Sequence, residues 1–165
     1  MKYLHLIRHA KSSWRDPGVP DVNRPLNKRG RASCALMAEK IAQSGCAFNH
    51  VYCSPAVRAQ STIERILTEL AIGSDVFRID DQLYTFDHMD LVYWLRELED
   101  EASSIVIVGH NPAFTELHNY LAEAEIENIP TCGYVQLILD IENWRDIRAN
   151  SGKQSVFIYP KMFTE

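Results

Sequence analysis

The sequence predicts a three-layer α/β fold, in which a doubly wound, mostly parallel central sheet carries helices on both faces. Strand-like and helix-like segments alternate along most of the chain, as they do in βαβ units with right-handed crossovers. The segment 104–108 is an almost continuous β-branched run, which is typical of a parallel strand buried on both faces. The length of 165 residues suffices for one hydrophobic core, so residues 1–165 are expected to form a single domain.

Each element of this fold is predicted from apolar spacing and from the residues that start or stop it. Dense turn residues make 15–27 a loop, while Ser54-Pro55 and Asn111-Pro112 each combine a helix N-cap with a proline suited to the first helical position. The predicted strands lie at 3–7, 51–53, 76–79, 104–108, 134–139 and 155–159. The predicted helices lie at 28–43, 55–71, 87–98 and 112–123.

Composition excludes several classes of function. The formal net charge of −5 does not fit a general nucleic-acid binder, which carries a basic surface. No apolar run approaches the ~20 residues of a membrane span, and no secretory leader is expected. The cysteines stand singly without a C-x-x-C pair, and the histidines match no metal-ligand spacing. We therefore expect no metal, no cofactor, no nucleic-acid or membrane partner, and a reducing cytoplasmic location.

Three predicted strands run into polar residues. The first ends in Arg8-His9, the second leads through a short turn to Arg58, and the fourth ends in Gly109-His110. Ligands of open α/β sheets bind outside the carboxyl ends of the strands, so these residues are expected at one rim. Arginine matches phosphate oxygens bidentately, helix N-termini bind anions, and histidine can act as a nucleophile near neutral pH. The pattern predicts a phosphoryl pocket with a nucleophile inside it.

Each of these residues, taken alone, has a plainer explanation. An Arg-His pair at a strand end is more often structural, an arginine such as Arg58 more often lies on a helix surface, and His110 could cap a helix. Their conjunction at three strand-to-helix junctions favours a site. The remaining histidines lack such a placement. His5 is expected within the first strand, and the others are expected on the surface or in loops, namely His50, His88 and His118.

Four motifs, in this order, resemble those of the histidine phosphatase superfamily, also called the phosphoglycerate mutase-like fold. They are Arg8-His9-Ala10, Arg24-Pro25-Leu26 with Gly30, Ser54-Pro55-x-x-Arg58-Ala59-x-x-Thr62 and Gly109-His110-Asn111-Pro112. Within the superfamily the chain is similar to the small SixA-like phosphohistidine phosphatases, from Lys2 to about Leu121.

The resemblance implies a role for each matched position. His9 is implied to be the nucleophile that becomes transiently phosphorylated. Arg8, Arg58 and His110 are implied to bind and stabilise the phosphoryl group. Arg24 is expected near the pocket mouth.

The chain departs from the larger members of the superfamily after the third strand, where they carry an acid that protonates the leaving oxygen. Asp87 is the nearest candidate for that acid, but it fits equally well as the cap of the helix that follows. A phosphorylated imidazole can leave already protonated, so a dedicated acid is less necessary for such a substrate. This hypothesis predicts poor activity on alkyl phosphomonoesters.

We therefore predict a metal-independent phosphatase that forms a phosphohistidine on His9 and removes phosphate from protein phosphohistidine. One alternative is a small-molecule phosphomonoesterase or mutase of the same superfamily, although this chain has little room for the lid that a mutase needs. Another is a non-catalytic phosphate-binding module, against which the presence of both His9 and His110 counts. The oligomeric state and the closure of the 15–27 loop over the site stay open.

Overall fold

The computed structural model describes residues 1–164 and contains one six-stranded sheet with the strand order β3-β2-β4-β1-β5-β6. The strands are β1 (Lys2–Arg8), β2 (Val51–Cys53), β3 (Phe77–Ile79), β4 (Ser104–Gly109), β5 (Tyr134–Leu139) and β6 (Gly152–Ile158). Strands β3, β2, β4 and β1 pair in parallel, and β5 runs antiparallel to both of its neighbours. The predicted α/β fold with a mostly parallel sheet is confirmed.

Helices cover both faces of the sheet. They are α1 (Lys28–Gln43), α2 (Val57–Glu69), α3 (His88–Arg96) and α4 (Ala113–Leu121). Helices α1 and α2 contribute to one hydrophobic core, while α3 and α4 contribute to the other. None of the helices within residues 1–164 combines the length and the apolar character needed to cross a bilayer.

Strand β4 shows why both faces need a helical layer. Ile105 and Ile107 pack into the core beneath α3 and α4, whereas Val106 and Val108 pack into the core beneath α1 and α2. All four side chains are fully buried. Because side chains alternate along a strand, a β-branched run of this kind can be buried only where both faces are covered.

The carboxyl ends of β1, β2 and β4 lie side by side. Strands β1 and β4 end level with each other at Arg8 and Gly109, and β2 ends beside Val108. Since these three strands are parallel, the residues that follow them share one rim of the sheet. This register is what brings distant parts of the chain together.

The start of α2 differs from the prediction. The helix begins at Val57 with Ala56 at the N-cap position, so Ser54 is not its N-cap. The Ser54 hydroxyl accepts a hydrogen bond from the Ala56 N–H at 3.2 Å and also bonds the His110 ring at 2.7 Å. His110, which follows β4, therefore competes with the helix for this side chain. At its other end α2 stops at Glu69, before the predicted Ala71, which has a φ of 56°.

Other boundaries shift by a few residues. Helix α4 begins at Ala113, after a cis Asn111-Pro112 peptide bond, and the Asn111 side chain accepts from the Thr115 N–H at 3.1 Å. Helix α4 ends at Leu121 rather than at 123, and α3 covers a shorter range than 87–98. Strand β6 begins three residues before the predicted 155 because it pairs with β5 as far as Gly152.

Gly30, in the first turn of α1, is required by a close approach of the backbone. A Cβ atom at this position would lie 2.2 Å from the carbonyl oxygen of Lys11. That carbonyl accepts a hydrogen bond from the Asn27 N–H at 3.0 Å, and Ser12 forms an isolated antiparallel bridge with Leu26. The segment after β1 is therefore clamped to the start of α1, which closes the base of the 15–27 loop.

Candidate active site

Backbone hydrogen bonds hold the three strand ends together. The His9 N–H donates to the Gly109 carbonyl at 3.0 Å, and the Ser54 N–H donates to the Val108 carbonyl at 3.0 Å. Arg58 reaches the same place from the first turn of α2. The four residues implied to act on a phosphoryl group converge on this rim, namely Arg8, His9, Arg58 and His110.

Hydrogen bonds define the tautomer of His9. Its Nδ1 lies 2.8 Å from the Ala10 carbonyl, which can only accept, so Nδ1 carries the proton. Its Nε2 accepts from the Arg58 Nε–H at 3.3 Å and therefore keeps a lone pair. Burial, reinforced by the charges of Arg58 and Arg8, lowers the pKa of His9 to about 4 although the Ala10 carbonyl opposes the shift. His9 is thus neutral near pH 7 and has the lone pair that a nucleophile needs.

His110 faces His9 with a ring-centroid distance of 5.2 Å. Its Nδ1 lies 3.4 Å from an Arg58 Nη2 donor, and its Nε2 lies 2.7 Å from the Ser54 hydroxyl. Because Arg58 can only donate, the Nδ1 atom accepts and the proton sits on Nε2. Burial, followed by the neighbouring His9 and Arg58, lowers the pKa of His110 to about 3.

Arg8 brings a second guanidinium to the rim. Its Nη1 donates to the Ile129 carbonyl at 2.7 Å, while its Nε is buried and finds no hydrogen-bond partner among residues 1–164. A buried donor without a partner is rare because leaving it unpaired is costly. An anion that supplied an oxygen to this N–H would remove that cost.

Asp21 is a site residue that sequence reasoning missed. It opens a 3₁₀ turn at Asp21–Asn23 in the 15–27 loop. Its Oδ2 accepts from Arg58 Nη2 at 3.0 Å and from the Tyr84 hydroxyl at 2.5 Å, and its backbone carbonyl accepts from Arg58 Nη1 at 2.7 Å. The Tyr84 hydrogen bond, with those from Arg58 and Arg24, lowers the pKa of Asp21 to about 2. A carboxylate of the loop therefore occupies donors that face the pocket.

Arg24 lies at the edge of the same cluster and is buried. Its Nη1 donates to Asp21 Oδ1 at 3.0 Å, its Nη2 bonds the Ser12 hydroxyl, and its Nε donates to the Ser13 carbonyl at 3.2 Å. Its guanidinium carbon lies 3.3 Å from the ring centroid of the exposed Trp14. The structure thus brings Arg24 beside the site, where its charge contributes to lowering the pKa of His9.

Two aromatic rings that follow β3 line the other side of the site. The centroids of Tyr84 and Phe86 lie 5.4 Å and 5.5 Å from that of His110. Asp87 comes next, but its side chain is 65 % exposed and accepts from the Met89 N–H at 2.9 Å as the N-cap of α3. Within residues 1–164 Asp87 makes no hydrogen bond to the rim cluster.

The remaining histidines lie away from the rim cluster. His5 is buried in β1, as predicted for a strand residue, between the Tyr134 and Ser104 hydroxyls. The surface prediction for His118 is wrong, because this side chain is fully buried in α4 and its Nε2 lies 2.9 Å from the Gln154 side chain. Across residues 1–164, no three His, Cys, Asp or Glu side chains are arranged so that they could hold a metal ion.

Known proteins resemble this chain in sequence or in fold. A chloroplastic, uncharacterized protein of Arabidopsis thaliana is 29% identical over 160 residues, which cover 90% of this chain and 72% of that one. An uncharacterized Mycobacterium tuberculosis protein is 27% identical over 165 residues, covering 94% and 100% of the two chains. The structure of the protein histidine phosphatase SixA complexed with tungstate superposes with a TM-score of 0.80 at 20% identity, covering 98% and 99%.

A family model that matches just over half of the chain identifies the family. Residues 4–90, which include Arg8, His9 and Arg58, match the model of the histidine phosphatase superfamily, branch 1. The fold shared with SixA agrees with this match. The resemblance drawn from the four motifs is confirmed, and this chain belongs to the histidine phosphatase superfamily, branch 1.

Proposed function

We propose that the protein is a phosphatase that works through a phosphohistidine on His9 and removes phosphate from protein-borne phosphohistidine. One observation carries this proposal: a neutral imidazole, whose Nε2 lone pair accepts a hydrogen bond from the Arg58 guanidinium, faces a second imidazole. A neutral nucleophile surrounded by hydrogen-bond donors suits attack on an anionic phosphoryl group.

The reaction proceeds in two displacements. In the first, His9 Nε2 attacks phosphorus, so that an N–P bond forms to His9 while the bond to the leaving group breaks. Arg58 and Arg8 then hydrogen-bond the equatorial oxygens, where charge is concentrated in the transition state. In the second, water attacks the phosphohistidine, the N–P bond breaks, and phosphate and neutral His9 are released. Two easier steps replace one difficult step.

The leaving group favours phosphohistidine as the substrate. An imidazole that leaves in its protonated form needs no acid from the enzyme, whereas an alkoxide does. Asp87 is committed to capping α3, and Asp21 is held ionised by hydrogen bonds from Tyr84 and Arg58, which lower its pKa to about 2. Phosphoramidates should therefore be hydrolysed with a far higher kcat/KM than alkyl phosphomonoesters, and similar values for both classes would overturn this choice of substrate.

The reaction is proposed to need neither metal nor cofactor, because arginines supply the positive charge that a cation would otherwise supply. Activity is expected to survive prolonged treatment with a chelator. A reducing compartment such as the cytoplasm suits the protein, since all four cysteines are free and buried.

A pulse-labelling experiment tests the intermediate. Brief incubation with a substrate that carries a radiolabelled phosphoryl group should leave acid-labile, alkali-stable label on His9, and the label should disappear when unlabelled substrate is added. His9→Ala should carry no label, and His50→Ala is the control for removal of an exposed histidine. Label that persists in His9→Ala would refute the assignment of the nucleophile.

A substrate panel separates phosphohistidine from the alternatives. Phosphohistidine proteins and common phosphometabolites are compared at equal concentration, with phosphate release as the readout. Faster release from a phosphometabolite would favour a small-molecule phosphatase, and binding of phosphate without any turnover would favour a binding module.

A further inference from the structure

A groove of about 560 Å³ opens beside the N-terminus of α1, and we refer to it as the α1 groove. One acidic side chain, Asp16, lines it together with four basic ones. The basic side chains are Arg15, Arg24, Lys28 and Arg31. Arg24 belongs to both the α1 groove and the active site, since it pairs with Asp21, which in turn binds Arg58. A molecule in the groove therefore lies next to the phosphoryl pocket.

The positive charge of the α1 groove is largely unpaired in the part of the chain that the structure describes. Among its basic residues, only Arg24 forms an ion pair within residues 1–164, and its partner is Asp21. Asp16 instead accepts a hydrogen bond from the Gly18 N–H at 3.0 Å. Arg15 and Lys28 are exposed. The groove thus presents positive charge that is free to meet an external anion.

The first turn of α1 adds a second argument. It contains Lys28, Arg29 and Arg31 but no acidic residue. The N-terminus of a helix carries partial positive charge, so cations are unfavourable there and acidic residues are the usual choice. The arrangement works against the stability of the helix by itself. An anion bound in the α1 groove would offset this repulsion.

The size and setting of the groove point to an extended acidic chain. A volume of about 560 Å³ exceeds what a single phosphate group fills. The net charge of −5 opposes a nucleic acid, whose binders are basic as a whole. A protein substrate, in contrast, can place one acidic segment against a local basic groove while the rest of the surface is acidic.

We propose that the α1 groove binds an acidic segment of the substrate protein that flanks its phosphohistidine, an inference that rests on the function proposed above. The groove then selects among phosphohistidine proteins by charge, while the rim cluster performs the chemistry. Complementary charge at an interface mainly increases the rate of association and the specificity, so the effect should appear in kcat/KM and weaken as salt is added.

Two phosphohistidine peptides of equal length test this selection, one with aspartate and glutamate around the phosphohistidine and one with serine and glycine. At low salt, wild type should hydrolyse the acidic peptide with a kcat/KM about tenfold higher than that for the neutral peptide. This factor corresponds to the energy of a few exposed ion pairs. The double variant Arg15→Glu with Lys28→Glu should lose this preference and keep its activity on the neutral peptide. Replacing Lys28 by glutamate also favours the helix N-terminus, so the variant should fold.

A matched control lies at the opposite end of the sheet. The double variant Arg148→Glu with Lys153→Glu changes the net charge by the same amount. Both residues line a surface groove at the end of the sheet where β1 begins, beside Met1. This control variant should keep the preference for the acidic peptide. If the control variant loses it equally, the effect comes from overall charge and the α1 groove proposal is wrong.

A binding measurement separates the groove from the proposed function. The affinity of a fluorescent acidic peptide without phosphohistidine is measured by anisotropy, and it should fall about tenfold in the groove variant. Equal affinity in wild type and the groove variant overturns the groove proposal. Binding of tripolyphosphate without binding of the peptide overturns it too. Groove-dependent peptide binding without any phosphohistidine turnover supports the groove and overturns the proposed function instead.

Discussion

The Nε atom of Arg58 lies 3.3 Å from the Nε2 atom of His9 and donates its N–H to it. This contact points the Nε2 lone pair at the guanidinium and disfavours protonation of the imidazole. An incoming phosphorus atom must take the place in front of that lone pair, so the guanidinium has to turn its donors to the phosphoryl oxygens during the reaction. Arg58 therefore both prepares the nucleophile and stabilises the charge that develops after attack.

Replacement of Arg58 by alanine should strongly lower the rate of catalysis. We expect Arg58→Ala to lower kcat by roughly 10²–10³-fold, the scale seen when one donor to a developing charge is lost. Arg65→Ala, an exposed arginine on the same helix, is the matched control, and steady-state kinetics on a phosphoramidate provide the measurement. A loss below tenfold would contradict a direct role for Arg58.

Asp21 places a negative charge where the phosphoryl group must approach. We expect Asp21→Asn to lower KM for a small phosphorylated substrate by about three- to tenfold, because a like charge near the incoming dianion is removed and Arg58 is freed. Asp16→Asn in the same loop is the control. The measurement is KM at constant ionic strength, and a higher KM in Asp21→Asn would instead assign the carboxylate a positioning role.

Buried histidines should make the protein sensitive to acid. Burial lowers the pKa of His5 to about 4 from the 6.5 of an exposed imidazole. Between these pH values the unfolded chain binds a proton at His5 that the folded chain does not bind. The contribution of His5 to the free energy of unfolding is therefore fully present above pH 6.5 and is lost as the pH falls towards 4. One such group contributes a slope of about 1.4 kcal/mol per pH unit.

Denaturant unfolding at a series of pH values measures this slope. His5→Gln should reduce the slope by about 1.4 kcal/mol per pH unit between pH 6.5 and 4, because the titrating group is gone. His50→Gln is the matched control for the loss of one histidine. An unchanged slope in His5→Gln would show that His5 does not contribute to acid unfolding.

Substitution of Asp87 distinguishes a helix cap from a general acid. Asp87→Ala should cost about 1 kcal/mol of stability, the usual value for an N-cap, and leave kcat within about twofold on both a phosphoramidate and an alkyl phosphomonoester, the substrate that needs an acid. Asp87→Asn should restore the stability, since asparagine caps as well as aspartate does. Thermal unfolding and steady-state kinetics on both variants provide the data. A loss of kcat that Asn does not rescue would restore the acid hypothesis.

Most of the fold was predictable because its signals are local. The β-branched run around Val106 and the helical spacing of α1 depend only on neighbouring residues, and both elements were found. The positions of Arg8, His9 and His110 at the rim were predictable because each lies at or directly after the end of a strand. The exact start of α2 was not, because the Ser54 hydroxyl is shared with His110, which is 56 positions away in the chain.

The parts that could not be predicted depend on contacts between distant segments. Asp21 is held in the site by a hydrogen bond from Tyr84, which lies 63 positions further along the chain. No local sequence pattern predicts that contact. His118 is buried because Gln154, which is 36 positions away on β6, satisfies its ring nitrogen. In both cases a polar residue was placed by a tertiary partner rather than by its own neighbours.

The clamp at the base of the 15–27 loop has a consequence for how such a protein can diversify. Lys11 and Asn27 bind each other, and Gly30 allows the two chain segments to touch, so the ends of the loop are fixed regardless of what lies between them. Insertions near Gly18 would leave the end of β1 and the start of α1 in place, and doubling a loop costs only about 0.6 kcal/mol. The part of the loop before Asp21 can thus change in length while the end of β1, which carries Arg8, stays in place.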